Sequence, residues 1–379
     1  MKSTFAFALV LLLSIACKNP TSTSMSKENS EYSFLVGTYT DSPGQGINIL
    51  HFNPSENLLE VNILSPGIQN PSFVLAGKDG KRVYALEESA GVKGGDVLSF
   101  NLNSETNTLE LLDRTSSFGD HPCYLGLSPD EKLITAGNYS GGNLSIFQIQ
   151  TDGKLVHKQT IQHSGKSINP ERQESPHVHS TVFNPQGTRL LVADLGTDKI
   201  YNYEVNSENE SPLTLLSELS VTPGDGPRHL KFSKDGNTVF VVQEMTAMLE
   251  IYDFSNDILS LKQRLSLLDD GFEGAVGAAE VRLSDNDAYV YVSNRGDANT
   301  LSVFKRDGNG HYSRIQNIGS GGLMPRNFNL TEDGKYLLSA HQASNDIVVF
   351  KRNPEDGTLT LTEWKVQINK PVYLFQLPN

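Results

Sequence analysis

Cysteine is nearly absent from this chain of 379 residues, which has only Cys17 and Cys123. No disulfide framework can form if Cys17 serves elsewhere, and no Cys-x-x-Cys pair offers a redox or zinc site. Basic residues are also in short supply, with 31 Lys and Arg against 44 Asp and Glu and a formal net charge of −13. That deficit argues against nucleic acid as a partner, because neutralising phosphates requires surplus cations. It still permits an anionic small ligand, since a local arginine cluster can overrule the global field. The chain has no Gly-x-Ser-x-Gly elbow and no P-loop, so nothing suggests a Ser-His-Asp hydrolase or a nucleotide site. Nowhere do apolar residues recur at a 3.6-residue period over a helix length, which excludes two-domain α/β arrangements.

The N-terminus carries Lys2, an apolar run from Phe5 to Ala16, and then Cys17. The run is too short to cross a bilayer and reads as the core of a signal peptide. Leu13-Ser14-Ile15-Ala16-Cys17 is similar to a bacterial lipobox, with Ser14 where leucine is usual. Residues 1–17 are therefore expected to be a lipoprotein-type signal peptide, with Cys17 as the lipidated residue. An ordinary secretory leader with a nearby cut is the other reading. Residues 18–31, rich in Ser, Thr, Asn and Lys, read as a flexible tether, and 32–379 as the folded domain. The expected location is the periplasmic side of a bacterial membrane, with contact to the membrane only through Cys17, or the cytoplasm if the leader is unused. Cys123 is then a lone thiol, read as a small buried filler and not a nucleophile.

What the sequence has in abundance is glycine, 32 residues, and repetition. Pro71-Ser-Phe-Val-Leu-Ala-Gly-Lys-Asp-Gly80 has counterparts beginning at Pro122, Val178, Pro227, Ala278 and Pro325. Each is an alternating apolar strand running into an Asp-Gly-like tight turn. A second apolar strand follows each turn, as in Val239-Phe-Val-Val, then a third such as Leu301-Ser-Val-Phe, and a fourth such as Leu359-Thr-Leu-Thr. Four strands in roughly fifty residues is the size of one propeller blade. Six copies are internal, and a seventh is split between the ends. Pro371-Val-Tyr-Leu-Phe supplies its innermost strand, and Ser33-Phe-Leu-Val and Ile47-Asn-Ile-Leu its second and third. The fold class is all-β, a seven-bladed β-propeller of four antiparallel strands per blade, with one blade closed by both termini.

Alignment of the repeats separates scaffold from chemistry. Just inside the first strand, one column holds Ser72, Cys123 and Ala279 in some blades and His179, Arg228 and Arg326 in others. At the end of the second strand, another holds Glu88, Tyr139, Glu244 and Arg295, and the position before it Glu87, Asn138, Asp194 and His341. Charged groups from several blades should thus meet at one mouth of the channel, where burial is costly unless they pair or hold a ligand. His177 and His179, two apart on a strand, should share a side. A metal is not expected there, because no third ligand of matching type is evident. His179 suits a neutral base or a hydrogen-bond donor to a substrate oxygen. Arg228, Arg295 and Arg326 suit a carboxylate or phosphate clamp, and Glu244 a general base or a counter-ion to Arg228. Pairing of Arg228 with Glu244 to hold two blades together is the structural alternative. Glu280 lies one residue out of phase, so structural pairing fits it as well as a ligand role.

Gly37-Thr-Tyr-Thr, His121-Pro-Cys-Tyr-Leu, Pro176-His-Val-His, Gly224-Asp-Gly-Pro-Arg-His and Ser293-Asn-Arg-Gly, taken in order, resemble the seven-bladed propeller lactonases. These are the propeller-type 6-phosphogluconolactonases, with the fungal carboxy-cis,cis-muconate cyclases as relatives. The resemblance covers the chain after residue 31. It implies hydrolysis of 6-phospho-D-glucono-1,5-lactone to 6-phosphogluconate, a step of the pentose phosphate route, with no cofactor. The histidine, two arginines and glutamate of the cyclase branch fall by motif on His179 or His177, Arg228, Arg295 and Glu244. The expected catalytic set is thus His179, Arg228, Glu244 and Arg295, with His177, Asp194, Arg326 and His341 binding substrate, and a monomer is expected. The leader fits the phosphorylated substrate poorly and makes an exported enzyme for an unphosphorylated lactone the main alternative. A propeller that binds an anionic sugar or a protein without turnover is another.

Overall fold

In a computed structural model the described residues are 1–2, 31–42 and 45–378. Most of the expected leader and tether, Cys17 included, lies outside them. The described residues form seven four-stranded antiparallel sheets and no helix, so none is long and apolar enough to cross a membrane. Blades 1 to 6 follow in chain order, with innermost strands at Val74–Ala76, Pro122–Leu127, Val178–Phe183, Pro227–Phe232, Val276–Leu283 and Pro325–Leu330. Blade 7 takes its innermost strand, Pro371–Gln376, from the C-terminus and the other three, Tyr32–Thr38, Gly46–Asn53 and Leu58–Pro66, from the N-terminus. Val36 pairs with Leu374 and Leu35 with Phe375, so the two ends of the chain close the ring by hydrogen bonding.

The Asp-Gly-like hairpin turns are built alike, each with four residues between the last bonded pair, as between Ser233 and Thr238. In blade 4 the Gly236 amide donates to Ser233 O at 2.9 Å and the Ser233 hydroxyl to Asp235 at 2.6 Å, and Gly236 sits at φ 79°. A type I turn followed by a left-handed residue favours glycine there. Middle strands are buried on both faces, and apolar side chains from adjacent blades fill the gaps between sheets. The closing seam is aromatic: Phe52 meets Trp364 at 5.0 Å and Tyr336 at 5.1 Å between centroids.

Where the ring closes, the blades come very close. The Thr38 amide donates to Pro71 O at 3.1 Å, and a Cβ on Gly37 would lie 2.7 Å from that same carbonyl oxygen. Gly37→Ala is therefore expected to destabilise the fold by about 1–3 kcal/mol. A lowered urea midpoint with an unchanged m-value would show it.

Candidate functional site

The innermost strands carry a device that the repeat pattern did not reveal. In blades 2 to 7 the pairing of first and second strands skips residues near the start of the inner strand. The skipped residues are Cys123, His179, Arg228 with His229, Ala279 with Glu280, Arg326 and Val372. A β-bulge interrupts the alternation of side chains and can re-aim one of them. Here it gives one ring of residues around the channel, with Ser72 in the blade 1 position. A second ring stands where each second strand ends: Tyr39, Glu88, Tyr139, Leu195, Glu244, Arg295 and Gln342. Its backbone placement repeats, with Glu244 N donating to Gly226 O at 2.8 Å, Tyr139 N to His121 O at 2.9 Å and Gln342 N to Met324 O at 3.0 Å.

Glu244 is the centre of the cluster. Its Oε2 lies 2.9 Å from Arg228 Nε and 2.9 Å from Arg295 Nη2, while Oε1 accepts from Arg172 Nη2 at 2.7 Å. His179 Nε2 stands 4.0 Å from Oε2. The Glu244 carbonyl also accepts from Ala278 N at 3.1 Å, fixing blade 4 against blade 5. Burial alone would raise the Glu244 pKa, but Arg295, Arg228, His179 and Arg172 hold it well below the usual carboxylate range. Arg228 is lowered to about 9, first by burial and then by the nearby charges of Arg295 and Arg326. Burial, together with Arg228 and His229, pushes His179 well below its ordinary value and leaves a neutral imidazole at neutral pH.

Arg326 stands apart from Glu244 and beside Tyr39. Its Nη2 donates to the Tyr39 hydroxyl at 3.2 Å and its guanidinium lies 5.6 Å from the ring centroid. The Tyr39 hydroxyl donates to Glu88, with both carboxylate oxygens at 3.1 Å. A small cavity joins this group to the Glu244 cluster, lined by Tyr39, Ser72, Glu88, Cys123, His179 and Arg228 among others. Burial raises the Cys123 thiol and keeps it protonated, with Sγ 3.8 Å from His179 Nδ1.

The structure thus brings His179, Arg228, Glu244, Arg295 and Arg326 to one mouth. Arg228 and Glu244 are within a single blade, so their pairing does not join two blades; Arg295 is what ties Glu244 to the next one. His177 does not line the cavity with His179. The bulge breaks the two-residue period, and the His177 ring stacks on Tyr139 at 4.4 Å with Nδ1 3.0 Å from Tyr139 O. Asp194 and His341 are held in the scaffold, each one position before the second ring and hence on the opposite strand face. Asp194 accepts from the amides of His177, Gly196 and Thr197 and pairs with His163 at 2.7 Å. His341 pairs with Asp346 at 2.8 Å and is fully buried. Glu280 serves packing, with Oε2 3.1 Å from His229 Nδ1, a hydrogen bond from Asn327, and Arg282 3.6 Å from Oε1.

Arg172 and Tyr39 were not among the expected site residues. Arg172 sits in the connection between blades 2 and 3, outside the repeat. The loop is pinned by Gln173, fully buried, whose Nε2 donates to Leu195 O at 2.9 Å, and by Asn169, which accepts from the amides of Glu171 and Arg172. Tyr39 could have been found from the split blade, where it holds the same column as Glu88 and Glu244.

Comparison with known proteins identifies the family. The family described as Lactonase, 7-bladed beta-propeller matches residues 33–375. A Bacillus subtilis protein named 6-phosphogluconolactonase is 27% identical over 348 residues, covering 90% of this chain and 97% of its own. A Formosa agariphila protein of the same name is 28% identical, covering 88% and 96%. The structure of a Pseudomonas aeruginosa periplasmic gluconolactonase superimposes with a TM-score of 0.85 at 30% identity, covering 92% of this chain and 99% of that one. With the family matched from blade 7 through to blade 7, this chain belongs to the seven-bladed propeller lactonases, a family of lactone-hydrolysing enzymes.

Proposed function

We propose that this protein hydrolyses the ring ester of a sugar 1,5-lactone by direct attack of water at the mouth described above. The observation that carries the reading is the charge balance there. Four guanidinium groups (Arg172, Arg228, Arg295, Arg326) face two carboxylates (Glu244, Glu88), and burial makes that surplus costly until an anion arrives. The tetrahedral intermediate of ester hydrolysis is such an anion, and donors placed where charge develops stabilise the transition state. In this reading Arg228 and Arg295 receive the oxyanion, and Arg326 steadies the substrate. His179, neutral and lining the cavity, takes the proton of the attacking water and returns it to the ring oxygen as the C–O bond breaks. Glu244, held as a carboxylate by three arginines, is a poor base, and its role is to fix the arginines.

The family likeness makes 6-phospho-D-glucono-1,5-lactone the first substrate to test. The leader and the periplasmic neighbour favour export and an unphosphorylated lactone as the second reading. Both should be offered to the protein lacking residues 1–24, with each spontaneous rate subtracted. Turnover of either lactone supports the function, and turnover of neither removes it. Because His179 stays neutral as pH falls through 6.5, activity should persist below that value and decline only when the depressed His179 pKa is reached. His179→Gln should lower kcat about 100-fold or more and abolish that acid limb. An acid limb centred at 6.5 or above, unchanged in the variant, would exclude His179 as the proton acceptor.

A further inference from the structure

The part of the mouth that faces Glu244 is crowded with cations, whereas blades 7 and 1 contribute none of their own and the one guanidinium beside them, Arg326, is tied to Tyr39. There the inner ring narrows to Val372 and Ser72, the smallest side chains in it besides Ala279 and Cys123, and the cavity reaches in against Phe73 and Tyr373. Two polar groups in that space are left open by the protein. Glu88 is partly exposed, takes one hydrogen bond, from the Tyr39 hydroxyl, and among the described residues has no cation within salt-bridge distance. Ser72 Oγ is buried and has no hydrogen-bond partner. A carboxylate with free lone pairs accepts from hydroxyl groups, and an orphaned buried hydroxyl is costly unless a ligand satisfies it. Tyr39 holds Glu88 in place and is itself held by Arg326, so the carboxylate is set in position before any ligand binds.

We propose that Glu88 and Ser72 form a hydroxyl-binding subsite that selects a polyhydroxylated lactone whose tail ends in a free hydroxyl. The assignment rests on the lactonase reading and deepens it. The arginines take the reacting carbonyl, and the rest of the sugar points to blades 7 and 1. A phosphate in that position would meet the Glu88 carboxylate directly, and Arg326, which lines the same cavity, is already engaged with the Tyr39 hydroxyl that Glu88 holds, so like-charge repulsion disfavours a phosphorylated tail.

The test compares D-glucono-1,5-lactone, its 6-phosphate and δ-valerolactone, which has the ring ester and no hydroxyls. The wild type should prefer gluconolactone to δ-valerolactone. Glu88→Ala should raise KM for gluconolactone so that the loss in kcat/KM exceeds the loss on δ-valerolactone about tenfold or more, the size of a charge-assisted hydrogen bond. Ser72→Ala should act in the same sense more weakly. Glu88→Gln should raise the 6-phosphate's kcat/KM relative to gluconolactone. Equal losses on gluconolactone and δ-valerolactone, carried by kcat, would overturn the proposal and make Glu88 part of the reacting group. A wild type that prefers the 6-phosphate, with a ratio unmoved in Glu88→Gln, would overturn it too. Binding of D-gluconate by calorimetry separates this from failure of the hydrolase reading. If no lactone is turned over but gluconate binds and Glu88→Ala abolishes binding, the subsite stands; if gluconate does not bind either, it falls.

Discussion

Glu244→Gln is expected to remove lactone hydrolysis and to destabilise the fold by about 3–5 kcal/mol, the usual cost of leaving buried charges without their partner. The amide keeps the size of the carboxylate and removes only its charge. Arg228 and Arg295, both buried, lose the anion 2.9 Å away from each. Arg172, more exposed, can turn to solvent and should contribute little to the loss. Removal of a supposed base would leave stability nearly untouched, so thermal unfolding measured beside activity distinguishes the two roles. A variant that is inactive but as stable as the wild type would return Glu244 to the part of a base. The charge deficit can also be relieved from the other side: adding Arg228→Met to Glu244→Gln should recover part of the lost stability and none of the activity, since removing both partners of a buried pair costs less than removing one.

How far the sequence reaches can be seen at these same residues. Seven blades and the split closure were legible because each repeat alternates apolar residues and ends in a hairpin turn with a left-handed fourth residue, as at Gly236 and Gly334. The two columns at the mouth were legible too, since a residue's place in the repeat fixes its place in the ring. What failed was the direction of side chains inside a column. Period-two reasoning put His177 beside His179, but the bulge at His179 breaks that period, and nothing in Val178-His-Ser-Thr announces a bulge. The column alignment points Asp194 and His341 to the mouth, although an adjacent strand position faces the opposite way. Their partners, His163 and Asp346, come from neighbouring elements that no single strand reveals. Arg172 was invisible for a different reason. It lies in an insertion that the repeat does not cover, and a loop's endpoint depends on anchors such as Gln173.

Arg228→Met is expected to cut kcat about 100- to 1,000-fold, as loss of an oxyanion donor does, while leaving the melting temperature equal to the wild type or higher. The asymmetry with Glu244→Gln follows from the sign of the local field. Arg228 is buried among cations, and burial with Arg295 and Arg326 brings it down to about 9, so its charged form is disfavoured in the folded state. Removing it leaves Glu244 with Arg295 at 2.9 Å and Arg172 at 2.7 Å, still a paired carboxylate. It also relieves repulsion between guanidinium groups. The loss on the other side is one hydrogen bond to Ala279 O, about 1 kcal/mol. Methionine fills most of the volume of the arginine stem, so packing against the channel is kept. A stabilised, inactive Arg228→Met would mean that the fold carries this buried charge at a cost because the reaction needs it, the trade expected where an active site stores strain. Loss of stability comparable to that of Glu244→Gln would instead make Arg228 a structural counter-ion, and the oxyanion would then have to be assigned to Arg295 and Arg326.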